Sequence, residues 1–272
     1  MTGGRAGGFP ARVESFRLKK PDEIEKMRIS GRILGECLAH VASCVRAGVT
    51  TLDLDREAET FIRDHGCIPG FIGYNGFTKS LCVSVNEEVV HGIPGSRVID
   101  DGDLVSLDCG LIRDGWWADS GWSVPCGEPS AEVARLINVT RQALERGIAA
   151  AVAGNHIGDI GHAVQTCAES HGYAVVRQFV GHGIGRDMHE PPQVPNFGRP
   201  GTGNEIKPGL VLAIEPMVNT GGAGVHILDD GWTVVTDDHR LSCYFEHTVA
   251  ITEHGPEVLT LRPEPAVKAA AV

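Results

Sequence analysis

No stretch of this chain approaches the roughly 18 unbroken apolar residues that a membrane helix needs, which excludes a helical membrane span. Its opening, MTGGRAGGFPARVESFRLKK, lacks the apolar run of a secretory signal; Gly-rich and basic, it reads as a flexible tail over residues 1–20. No C-x-x-C pair occurs among the eight cysteines (Cys37, Cys44, Cys67, Cys82, Cys109, Cys126, Cys167, Cys243), so zinc-ribbon and redox motifs are absent. The even count allows four disulfides, but in an intracellular chain of this size reduced, buried thiols are expected. G-x-x-x-x-G-K-[ST] and G-x-S-x-G are missing, which leaves a phosphate loop and a serine-hydrolase elbow unsupported. The run Gly181 to Gly185 does not fit G-x-G-x-x-G and no helical pattern follows it, so a dinucleotide fold is not indicated. Cations are in deficit, with 24 Lys+Arg against 35 Asp+Glu and a net charge of −11. Such a surface repels phosphate backbones, and DNA is not an expected partner.

What is present is globular. The 272 residues are 42% hydrophobic and 22% charged, enough for one or two domains with a core that needs no staples. Pro21, Asp22 and Glu23 suit a helix's first turn, and Ile24, Met27, Leu34, Cys37, Leu38, Val41 and Val45 continue it at helical spacing towards Gly48. A second helix spans about Leu52 to His65. Strand-like runs follow at Ser80–Val85, Leu104–Gly110 and Trp116–Val124, the last two joined by the hairpin signal Asp114-Gly115. The order then repeats: helices from Ser130 to about Val152 and Asp159 to His171, then strands at Tyr173–Arg177, Leu210–Glu215 and Tyr244–Thr252. This predicts one α+β domain of two similar halves whose strands meet in the middle. His65 and His171, each before a terminating Gly, read as helix C-terminal caps.

Acids stand in odd places. Asp108 ends an apolar strand, where a carboxylate is costly unless something satisfies it. With Asp114-Gly115 as the loop, Asp108 faces Gly121, and Asp119 shares that face, its Cβ within about 7–8 Å of that of Asp108. Glu215 ends a second apolar strand and Glu246 sits inside a third. Singly, each is as readily a solvated or ion-paired acid; as a set from both halves they make what a dinuclear metal site requires. His182, in Gly181-His182-Gly183-Ile184-Gly185, has almost no side-chain cover and lets a metal or substrate approach. His189 follows seven residues on, a spacing unlike H-E-x-x-H, and His91 lies at a strand end turning through Gly92 and Pro94.

The segments Asn86–Pro94, Ser106–Asp108, Ala118–Ser120, Gly181–Gly185, Met188–Pro192, Ile214–Met217 and Phe245–Thr248 resemble type I methionine aminopeptidases in order and spacing, over about Pro21 to Thr260. The resemblance implies a pita-bread fold, pseudo-symmetric about a central antiparallel sheet, with a catalytic domain at 21–262 and a C-terminal tail at 263–272. It implies two divalent metals (Co, Mn, Fe or Zn) held by Asp108, Asp119, His182, Glu215 and Glu246. By the same resemblance Glu215 is the general base acting on an activated water, His189 stabilises the oxyanion and His91 holds the scissile amide. A small apolar methionine pocket is implied at Phe71, Tyr74, Phe77, Cys82, Met188 and Trp232, with a preference for small second residues. Relatives often carry Gln where Tyr244 stands.

The implied activity is removal of the initiator methionine from nascent chains and peptides, by a cytoplasmic monomer. The run Asn219–Gly231 reads as a loop; it has no Lys or Arg and contains Asp229 and Asp230, followed by Asp237 and Asp238. Any transient ribosome contact is therefore expected to be weak, or to use the basic tail residues Arg5, Arg12, Arg17, Lys19 and Lys20. Two other readings stand beside this one. A metal-free pita-bread interaction protein would need a lost ligand, and all five are present. A proline-directed aminopeptidase or prolidase relative usually carries a sizeable domain ahead of the catalytic one.

Overall fold

A computed structural model describes residues 15–263. Helix α1 spans Pro21–Cys44, with Pro in its first turn and the Glu23 side chain accepting from the Lys20 backbone N–H at 2.9 Å. It stops ahead of Gly48, because Val45 already turns extended. Helix α2 spans Thr51–Asp64, and Thr50 and Asp53 cap it reciprocally. The strands of this half are β1 (Ile68–Pro69), β2 (Leu81–Val85), β3 (Glu88–Val90), β4 (Leu104–Arg113) and β5 (Trp116–Pro125). Asp114 and Gly115 both take positive φ, the geometry of a tight hairpin turn, and Asp108 faces Gly121 as the register predicted.

The second half repeats the order. Helices α3 (Ala131–Ala150) and α4 (Ile157–Ser170) precede β6 (Ala174–Val175), β7 (Gly181–Gly183), β8 (Glu190–Val194), β9 (Val211–Ile214) and β10 (Met217–Asn219). Then come β11 (Val225–Ile227), β12 (Val234–Thr236), β13 (Ser242–Tyr244), β14 (His247–Thr252) and β15 (Gly255–Val258). The sheets run β1-β4-β2 with β5 on β4, then β13-β10-β6, β11-β12-β3 and β15-β14-β9-β7-β8. In the first half α1 and α2 bury Leu34, Leu38, Val41, Leu54 and Ile62 against β2 and β4. In the second, α3 and α4 bury Leu136, Leu144, Ile160 and Val164 against β9 and β14. Each half thus covers one sheet face with two helices, which frees the opposite faces to meet.

Three expectations need correction. The run Tyr244–Thr252 is not one strand: β13 ends at Tyr244 and β14 begins at His247, so Glu246 sits in the break between them. The chain changes partners there, because the Glu246 backbone N–H donates to the Gly121 carbonyl of the other half. The acidic stretch 219–231 is not an open loop but contains β11, paired with β12. Aspartates in and beyond it hold turns: Asp230 accepts from the backbone N–H groups of Trp232 and Thr233, and Asp238, after β12, from those of Gly222 and Arg240. Residues 15–20 are also not free of the body. Lys19 is buried, its ammonium is 2.7 Å from Glu190, and its backbone N–H donates to Gly209. It is therefore no docking cation; Arg5 and Arg12 lie outside the described residues.

The halves are sewn together by hydrogen bonds. Thr248 of β14 accepts from the Asp119 N–H at 3.1 Å and donates to the Asp119 carbonyl at 2.7 Å. Ser120 donates to the Glu246 carbonyl, and Ser123 to that of Tyr244, each at 2.8 Å. The Arg262 guanidinium lies over Trp122 and donates to Ser120 and the Gly121 carbonyl. The last described residues reach that seam along α1, where Gly31 and Gly35 leave room; an added Cβ would strike the Leu259 and Leu261 carbonyls. All eight cysteines are unpaired thiols. His65 and His171 sit at the predicted helix ends, their Nδ1 atoms 2.7 and 2.8 Å from the Phe61 and Cys167 carbonyls. No helix among the described residues is long and apolar enough to cross a membrane.

Candidate active site

Four acids and a histidine converge on the seam. Asp108 and Asp119 come from the paired strands β4 and β5, His182 from β7, Glu215 from the end of β9, and Glu246 from the β13–β14 break. One donor atom each of Asp119, His182 and Glu246 lies within 4.8 Å of the others. The His182 Nε2 is 3.6 Å from a Glu215 oxygen and 4.0 Å from an Asp119 oxygen. The ring's other nitrogen, Nδ1, is 2.9 Å from the Gly183 carbonyl. An N–H there fixes the tautomer that leaves the Nε2 lone pair facing the acids.

Burial makes this cluster unstable by itself. Asp108, Asp119 and Glu215 are pushed well above the ordinary carboxylate range, first by desolvation and then by one another and Glu246. Glu246 rises to about 7 through burial, opposed by its hydrogen bond from Tyr244 and by Arg262. His182 falls to about 3, through burial and then the nearby His189, so it is neutral at physiological pH. Three carboxylate oxygens, Asp108 Oδ1, Asp119 Oδ1 and Glu246 Oε1, are buried with no hydrogen-bond partner. Buried carboxyl oxygens without hydrogen-bond partners, beside an imidazole presenting a lone pair, are the ligands a divalent cation takes. The residues present therefore fit a metal centre.

The histidines flank this cluster. The His189 ring is 4.2 Å from that of His182, and its Nδ1 is 2.6 Å from the Tyr74 hydroxyl. His91 takes a left-handed backbone (φ 62°) and sets its ring edge-on against Phe179 and Trp232. Burial lowers both histidines, His91 to about 4. Phe71, Phe77 and Cys82 form one buried cluster on which Met188, Trp232 and Ile93 pack. Tyr74 instead packs beside Trp116 and Trp117 and reaches the cluster edge through His189. Ile93 and Phe179 were missed by the sequence reading. Ile93 had a signal, two residues beyond His91 in the same turn; Phe179 had none.

Tyr244 is buried under the cluster floor and donates its hydroxyl to Glu246 Oε2 at 2.6 Å. The space for its ring exists only because residue 121 is glycine; a Cβ there would enter the ring. That bond leaves Oε1 as the free oxygen of Glu246.

A fold of two like halves with an acid-histidine cluster at their seam is the architecture of a metal-dependent hydrolase. The sequence model of Metallopeptidase family M24 matches residues 25–253. The methionine aminopeptidase of Clostridium perfringens is 52% identical over 90% of this chain and 98% of its own length. The crystal structure of methionine aminopeptidase from Rickettsia prowazekii superposes with a TM-score of 0.90 at 40% identity, covering 91% of this chain and all of that one (100%). An Xaa-Pro dipeptidase from Bacillus anthracis, at 24% identity and a TM-score of 0.71, shares the fold. The chain belongs to metallopeptidase family M24, among its methionine aminopeptidases. It is a hydrolase of pita-bread fold that works with divalent metal.

Proposed function

We propose that this chain removes the N-terminal methionine from peptides and nascent proteins whose second residue is small, using two divalent ions held by Asp108, Asp119, His182, Glu215 and Glu246. The observation that carries this reading is the set of unpartnered oxygens of Asp108, Asp119 and Glu246 beside the His182 Nε2. With four oxygen-donor residues and one nitrogen donor, the set suits Mn, Fe, Co or Zn. Bound there, the ions supply Lewis-acid polarisation and lower the pKa of water enough for attack at neutral pH.

The chain's own groups do the rest. Glu215 sits nearest the His182 edge of the cluster and takes the proton of the attacking water. His189, held by Tyr74, donates to the oxygen that becomes an oxyanion. Deprotonated at neutral pH, His91 is a neutral hydrogen-bonding partner for the scissile amide. A carboxylate of the floor accepting a hydrogen bond from the substrate's free α-amino group would restrict cleavage to chain ends. Phe71, Phe77, Cys82, Met188 and Trp232 receive the methionine side chain, with Tyr74 at the rim; thioether and aromatic groups contact each other favourably. We place the enzyme in the cytoplasm as a monomer. Any ribosome contact must rely on cations other than the buried Lys19.

Peptides Met-Ala-Ser and Met-Leu-Ser test this reading. A chelator should stop methionine release, metal should restore it, and the alanine peptide should be cut far faster. Release that ignores the chelator, or preferential cleavage before proline, would overturn the reading. Trp232→Ala should raise KM about 2- to 12-fold with kcat little changed, since one aromatic contact is worth about 0.5–1.5 kcal/mol. Tyr244→Phe should weaken metal binding about 10–100-fold while keeping the fold, measured by isothermal titration.

A further inference from the structure

We propose that His40 and Cys44 of α1, with Glu57 of α2, form a second divalent-metal site, separate from the acid cluster and suited to a borderline-soft ion of the zinc type. His40 and Cys44 are four residues apart and share one face of α1 near its end. The packing of Leu38 and Val41 with Leu54 and Ala58 sets α1 against α2 and brings Glu57 alongside. One donor atom from each of the three lies within 4.8 Å of the others. The His40 Nε2 is 2.9 Å from Glu57 Oε2, and the imidazole is stacked on Phe61 with centroids 5.5 Å apart, so two donors are already held facing each other.

The surroundings carry charges of both signs. The C-terminal end of α1 carries the negative end of the helix dipole and has no basic residue in its last turn. Asp53 lines the same hollow beside Cys44 and Glu57, its carboxylate paired with Arg56 at 3.2 Å. Arg46 is an opposing charge there, its guanidinium donating to the Cys44 carbonyl at 3.4 Å. An imidazole nitrogen, a thiolate and a carboxylate oxygen, with water as the fourth ligand, make a tetrahedral zinc set; the sulfur disfavours magnesium, calcium and manganese. The thiol binds as thiolate, its proton passing to solvent. The ion would pin the end of α1 to α2. Without it the same residues are a surface His–Glu pair beside a thiol.

Cobalt separates this site from the acid cluster, whose five proposed ligands include no sulfur. The full chain is stripped with chelator and titrated with Co2+, following near-ultraviolet sulfur-to-cobalt charge transfer. The wild type should develop this band and Zn2+ should displace it. Cys44→Ser should abolish it, while His40→Ala and Glu57→Gln should each raise the cobalt needed at least about tenfold. Methionine release should be unchanged in all three variants when the acid cluster is saturated with metal. No charge-transfer band in the wild type, a band that survives Cys44→Ser, or one that Zn2+ cannot displace would overturn the proposal. Failure of methionine release in the wild type would overturn the peptidase reading and leave this site standing.

Discussion

Glu246→Ala should abolish methionine release, lowering kcat/KM by about 10³-fold or more, with loss of bound metal measured in parallel by atomic absorption. Losing several kcal/mol of charge stabilisation corresponds to that factor. Glu246 is the acid with the most to lose: one oxygen is orphaned into the cluster, and the other is tethered by Tyr244. Its backbone also joins the halves through Gly121 and Ser120. Those bonds use main-chain atoms, which alanine retains, so the variant should fold. A folded alanine variant that still binds metal and releases methionine at near-normal rate would remove Glu246 from the centre.

Stripped of metal, the protein should lose stability as pH rises from 6.5 to 8, with a fall in melting temperature on the order of 5 °C or more. The sign follows from the carboxyls. Glu246 is raised from 4.5 to about 7, and Asp108, Asp119 and Glu215 are raised well above their ordinary values. A raised acid stabilises the fold most when protonated, and that contribution disappears as pH climbs through its folded pKa. His182 and His91, lowered to about 3 and about 4, act oppositely: they weaken the fold as pH drops below the ordinary 6.5. Above 6.5 they are neutral both folded and unfolded, which isolates the acids in the chosen window. Divalent metal should flatten or reverse the trend. Calorimetry of chelated and metal-loaded protein across that range decides it; a stripped protein that gains stability towards pH 8 would contradict the assignment.

The Asp108–Asp119 pair was legible because Asp114-Gly115 is a local turn signal and strand periodicity of two does the rest. The duplicated order of helices and strands was legible for the same reason, since apolar spacing and capping residues are local. Glu246 could be read as an oddly placed acid, but not as lying in a break. Tyr244–Thr252 is uniformly strand-like, and the break is imposed by Gly121 and Ser120, which are far away in sequence. Strands β7 and β8 escaped notice because Gly181, Gly183, Pro191 and Pro192 give no strand pattern. The pocket residues came from resemblance alone; nothing in their spacing announces that Phe71, Cys82 and Trp232 meet. Phe179 behind His91 and the clamp of Arg262 on Trp122 are tertiary accidents of the same kind.

The stitching of Asp119 to Thr248 and of Ser120 to Glu246 has a bearing on biosynthesis. A chain growing from its N-terminus completes the first pair of carboxylates early, yet Thr248, which holds the Asp119 backbone, follows 129 residues later. The metal centre is thus closed only when the second half folds against the first, and a chain that has made only its first half has no complete site.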